Sequence, residues 1–145
     1  MWKLKIPAKI KIFMWRAFHH SLPCMNNLVR RGVKAPKGCR RCLEGVDSDW
    51  HAVWECPCAR SVWDQSALWQ KLRTFKGIGV DRLCLFATQV LGNEELETFT
   101  TISWAIWTTR NAFIFTNTQR KEKEDLDLAG RILEDYTSYK TKLVH

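Results

Sequence analysis

Acidic side chains are absent from the first 43 residues. That stretch carries eleven Lys or Arg (Lys3, Lys5, Lys9, Lys11, Arg16, Arg30, Arg31, Lys34, Lys37, Arg40 and Arg41) and no Asp or Glu, whereas the rest of the chain is slightly acidic. The formal net charge of +8 therefore belongs entirely to the N-terminal part. A one-signed segment of this kind fits a phosphate backbone better than a solvated face without a partner. Long apolar runs are also missing, and without 18 consecutive apolar residues nothing in the sequence spans a bilayer. The opening Met1-Trp2-Lys3-Leu4-Lys5-Ile6-Pro7 has no uninterrupted apolar core and no small-residue cleavage site, so nothing supports export. No glycine-rich phosphate loop occurs. The carboxylates of 120–127 have no second acidic cluster to work with, and His19, His20 and His51 offer no clear Cys–His pair for nucleophilic chemistry. These absences argue against an enzyme.

Cysteine is plentiful, with six in 145 residues. Four residues read C-x2-C-x8-H-x4-C: Cys39, Cys42, His51 and Cys56. Three thiolates and one imidazole complete a tetrahedral zinc shell with no open position, which staples a chain and does not activate water. A disulfide framework is the competing reading. It requires an oxidising compartment, and without export the thiols stay reduced. Cys58 follows Cys56 by two residues across Pro57, and either sulfur could close the site. Cys56 is preferred, because the residue before a proline is pushed into an extended conformation. Cys24 and Cys84 read as small apolar core residues.

Apolar spacing predicts an all-α fold, with one zinc-ordered loop between the second and third helices. A first helix over 7–20 buries Ile10, Phe13, Met14, Ala17 and Phe18. A second covers 24–31 and stops at Gly32. Asp47-Ser48-Asp49 reads as an N-cap region before His51. A third helix follows Pro57 with Ala59, Val62, Trp63, Ala67 and Leu72 facing inward, and Asp81 caps a fourth. A long helix from 94 to about 115 carries Leu96, Phe99, Ile102, Ile106 and Trp107, extended by Phe113, Ile114 and Phe115. The last segment, 120–143, is amphipathic through Leu126, Ala129, Ile132, Leu133, Tyr136 and Tyr139. Eight tryptophans must be mostly buried or used as binding surface. Trp50 and Trp54, flanking the metal motif, either pack over it or stack bases.

These motifs resemble a known family. Trp2-Lys3-Leu4-Lys5, Pro7-Ala8-Lys9, Phe13-Met14-Trp15-Arg16-Ala17, Leu22-Pro23, Asn27-Leu28 and Arg30-Arg31-Gly32 precede the Cys39, Cys42, His51, Cys56 set, with Ala59 and Val62-Trp63 behind it. Together they are similar to the zinc-binding domain in reverse transcriptases of plant LINE-type (non-LTR) retrotransposons. Trp104-Ala105-Ile106-Trp107 and Arg110-Asn111 resemble the segment leading into a ribonuclease H domain. Cys24 replaces a usual Thr, Asp47 a usual Glu, and Cys58 is an extra thiol. No Tyr-x-Asp-Asp polymerase signature is present, and no ribonuclease H carboxylate region follows residue 115.

The resemblance implies a zinc-binding domain over 1–75, a helical linker over 80–117 and a charged amphipathic helix over 118–145. It implies one structural Zn2+ and a non-catalytic module excised from a longer polyprotein. Such a module would bind RNA or single-stranded DNA through Arg30, Arg31, Lys34, Lys37, Arg40 and Arg41. The competing expectations are a structural or protein-interaction domain and a decayed retroelement fragment with no selected activity. The expected location is intracellular, with access to the nucleus suggested by family context, and no membrane partner. The C-terminal helix is a candidate for docking a protein.

Overall fold

The structure, a computed structural model, describes residues 3–34 and 38–144, the side chains of 141–144 excepted. Its elements are α1 (Ala8–Phe18), α2 (Met25–Arg30), a π turn (His51–Glu55), α3 (Pro57–Gln65), α4 (Trp69–Leu72), α5 (Val80–Val90), α6 (Asn93–Thr116) and α7 (Glu122–Val144). Extended pairing among the described residues is limited to one antiparallel bridge, Gly38 with Val46. The fold is all-α, as the spacing predicts, and none of the described helices is long and apolar enough to cross a membrane.

Each helix begins and ends for a local reason. Pro7 precedes α1, where its missing N–H costs nothing. Ile10, Phe13, Met14 and Ala17 form the buried stripe. His19 ends the helix, its Nδ1 2.8 Å from the Trp15 carbonyl oxygen. Gly32 follows α2 at φ +88°, a conformation that favours glycine.

The single third helix expected from the sequence is broken. Ser66 turns extended after Gln65, and its hydroxyl donates to the Trp63 carbonyl at 2.7 Å. Such a bond offers the backbone an alternative to another helical turn. The chain resumes as the short α4, and Ala67 is exposed. Asp81 does not cap α5. Gly79, at φ +116°, takes that position and Asp81 falls in the first turn. Glu95 caps α6 in reverse, its Oε1 accepting from the Gly92 N–H at 3.1 Å.

α6 is the central post. It packs against α1, the π turn and α7, and α7 also lies on α3. Its buried residues run round the helix and include Thr100, Thr101, Ser103, Thr109 and Arg110 beside Leu96, Phe99, Ile102 and Ile106. Three polar ones satisfy themselves by donating to carbonyls within α6: Thr100 and Thr101 to Glu97, Ser103 to Phe99. The expected extension of the apolar face fails at its end, where Phe115 is 72% exposed. On α7, Ala129 is buried and Leu126, Ile132 and Leu133 are half-buried against the core, while Tyr139 is exposed. One apolar cluster runs from Leu4 to Ala129.

Candidate metal centre

A tight knuckle begins where Gly38 pairs with Val46. The Cys39 N–H donates to the Gly45 carbonyl at 3.1 Å, and the Leu43 N–H returns to Cys39 at 3.0 Å. Leu43 and Gly45 both take positive φ, at +62° and +74°. Gly45 is needed for a second reason: a Cβ there would sit 3.1 Å from Cε1 of the His51 ring. The knuckle thus points Cys39 and Cys42 toward the next element.

That element is the π turn. Ser48 opens it by accepting the His51 N–H at 3.1 Å, as the N-cap reading expects. Asp47 and Asp49 do something else. Asp49 accepts from the Leu22 N–H at 2.8 Å and from Asn27 Nδ2 at 2.7 Å. Asp47 accepts from the Met25 N–H at 2.8 Å and forms a buried ion pair with Arg110 of α6. Arg110 also lies under the Trp107 ring, 4.7 Å from its centroid. These two carboxylates tie the knuckle to the α1–α2 corner and to the central post.

The donor atoms of Cys39, Cys42, His51 and Cys56 all lie within 4.8 Å of one another. The Cys39 and Cys56 sulfurs are 4.0 Å apart, and Cys42 Sγ is 3.3 Å from His51 Nε2. A tetrahedral zinc with Zn–S ~2.3 Å and Zn–N ~2.0 Å requires edges of about 3.8 Å between sulfurs and about 3.6 Å from sulfur to nitrogen. The observed spacing matches a zinc cage to within a few tenths of an ångström.

Proton chemistry gives the same fit. The hydrogen bond from Cys56 holds the Cys39 thiol down to about 3, with burial opposing and His51 adding to it. Cys56 is correspondingly pushed up, chiefly by that same bond. His51 is raised to about 9, first by Cys39 and then, against burial, by Glu55. Donors this close must share protons, and a divalent cation replaces those protons with one charge. Glu55 Oε1 stands 3.2 Å from His51 Nδ1. It fixes the ring so that Nε2 faces the cysteines, a usual outer-shell role for carboxylates. Sequence spacing passed over Glu55, though a carboxylate four residues after a ligand histidine on a helical turn was the available signal.

Cys58 stands outside the four-donor group, in the first turn of α3. Its thiol is pulled down to about 6, first by a hydrogen bond with Cys56, with Arg41 also favouring the thiolate. Cys24 and Cys84 are buried, and burial raises their thiols to about 11 and about 12, as expected of core residues. Trp54 is buried beneath the turn among Trp50, Trp63, Trp69 and Phe75, so its place is packing. Trp50 is half-buried against Trp54 and Phe75. Of the basic residues singled out, Arg30, Arg31, Lys34 and Arg40 are exposed. Arg41 is half-buried near Cys58 and the start of α7, and Lys37 lies outside the described residues.

Comparison with known proteins agrees with this geometry. Residues 1–63 match the family model described as zinc-binding in reverse transcriptase. This segment is a reverse-transcriptase-type zinc-binding domain, built for one structural zinc. A protein of Arabidopsis thaliana named "Putative ribonuclease H protein At1g65750" is 29% identical over 63 residues. The match covers 43% of this chain and 10% of that protein, so the chain spans a small part of the relative's length. No solved structure matches the chain.

Proposed function

We propose that the chain is a non-catalytic zinc module, of retrotransposon reverse-transcriptase origin, that binds RNA or single-stranded DNA through its basic N-terminal face. Cys39, Cys42, His51 and Cys56 are the ligands in this reading, and Cys58 is a bystander. Zinc orders the knuckle, and the knuckle carries Arg40 and Arg41 into place beyond α2, which ends in Arg30 and Arg31.

One observation supports the reading most. Among the described residues, none of the ten basic side chains from Lys3 to Arg41 forms an ion pair. Basic residues elsewhere do find acids, as Lys71 does with Glu95 at 2.8 Å and Arg110 with Asp47. An unpaired field of one sign attracts phosphate through counterion release, with steep salt dependence and little sequence preference. The test is fluorescence anisotropy with single-stranded RNA across a salt series. Affinity should fall linearly on logarithmic axes, and Arg30→Ala should reduce the slope by about one. Absence of binding at low salt would refute the proposal.

A further inference from the structure

We propose that the groove between α1 and α5, centred on Trp15, is a stacking site for an unpaired base of a single strand. The inference rests on the nucleic-acid reading above and adds a specific contact to it. Among the seven described tryptophans, Trp54, Trp63 and Trp107 are buried, and Trp50, Trp69 and Trp104 are half-buried. Trp15 is 50% exposed, and the core of α1 is filled without it by Ile10, Phe13, Met14 and Ala17.

Its indole is already ordered. The His19 ring stacks on Trp15 with centroids 4.2 Å apart and planes 30° from parallel. The bond between His19 Nδ1 and the Trp15 carbonyl oxygen holds the imidazole there. A base would extend this pair as a further ring, with little side-chain entropy left to lose. Beside the pair lies a cavity of about 260 Å³, with Met14, Phe18, Leu85 and Thr88 in its walls. Leu85 is 57% exposed, and Ile12, one turn before Trp15, is 55% exposed.

Charge selects the occupant. Lys11 precedes Trp15 by one turn, Arg16 adjoins it, and Arg82 precedes Leu85 by one turn on α5. The only acidic residue on these two helices is Asp81, which stands 3.6 Å from His20. An apolar shelf rimmed by cations matches a strand whose bases are flat and whose backbone is anionic.

The experiment compares an oligouridylate of about 15 nucleotides with an abasic strand of equal length. The abasic strand reports phosphate contacts alone. Wild type should prefer the oligouridylate by about tenfold or more. Trp15→Ala should bring that preference close to one while leaving abasic affinity and its salt slope unchanged, and Trp15→Phe should restore most of the preference. Circular dichroism should show unchanged helicity in both variants. A preference retained in Trp15→Ala, or absent in wild type, overturns the stacking site while leaving the phosphate reading intact. Failure of both strands to bind at low salt removes both. Displacement of the RNA by polyglutamate at equal charge would assign the groove to an acidic protein and overturn the proposal.

Discussion

The knuckle from Gly38 to Cys56 and the helix α6 are held by opposite means. The knuckle exposes much of what it has: Leu43 is 84% and Val46 48% exposed. Its shape depends on four donor side chains, two positive-φ residues and two buried carboxylates. α6 needs no donor set, being buried on all sides by apolar contact and by hydroxyls bonded to their own helix. The first is specified by a few atoms and is vulnerable at each of them. The second is specified by area and tolerates more. The two meet at Asp47 and Arg110.

The largest break should come from the metal. Cys39→Ser, or chelation, should reduce native mass-spectrometric zinc from one ion per chain to none. Hydrogen-exchange protection should be lost first over 38–56, since structural zinc contributes ~10–16 kcal/mol of apparent binding energy in small domains. Acidification should act in the same direction, because protons compete for the same four donors. Simultaneous loss of protection along α6 would show that the contrast is false and the chain melts as one unit.

Next in size is the junction. Arg110→Ala would strand the buried Asp47 carboxylate, and breaking a buried pair from one side costs about 3–5 kcal/mol. Urea denaturation should show that loss. The double change Asp47→Asn with Arg110→Met should recover much of it, since the stranded charge is then gone. Equal losses in the single and double variants would mean that Arg110 acts by packing on Trp107 alone.

The smallest effect belongs to α7. Burial raises the Asp125 carboxyl above its model value of 3.8, partly offset by the hydroxyl it accepts from Thr109. A folded pKa above the unfolded one favours the protonated acid. Its contribution is complete below the unfolded value and is lost as pH climbs through the raised folded value. Asp125→Asn should therefore flatten the thermal stability profile on the alkaline side of that value and raise Tm slightly at neutral pH. A lower Tm at neutral pH would show that the ionised group is stabilising.

How much of this was legible in the sequence depends on distance along the chain. α1 and α2 follow from local apolar spacing and from Gly32, and the metal set lies within 18 residues. Glu55 and the π turn were not read, because a five-residue turn leaves no periodic trace. The break at Ser66 turns on one hydroxyl bonding backward. α6 shows little amphipathic contrast because all its sides are covered. Arg110 was placed in a linker by resemblance, and its partner Asp47 is 63 residues away. Long-range polar pairing of that sort has no local signature. Trp15 was quoted as part of a motif, but only the fold shows it standing outside the core.

The ion pair between Asp47 and Arg110 bears on how such a chain can be divided. The recognisable segment ends at residue 63, yet one of its carboxylates is neutralised by a guanidinium well beyond that point. Trp63, the last residue of the match, lies against Phe99 with ring centroids 5.4 Å apart. A fragment cut at the end of the match would inherit an uncompensated charge and a bare indole face. Any other protein carrying this segment must bring its own cation and its own aromatic lid to the same two places. A portable motif of this kind travels with a standing demand on whatever is joined to it.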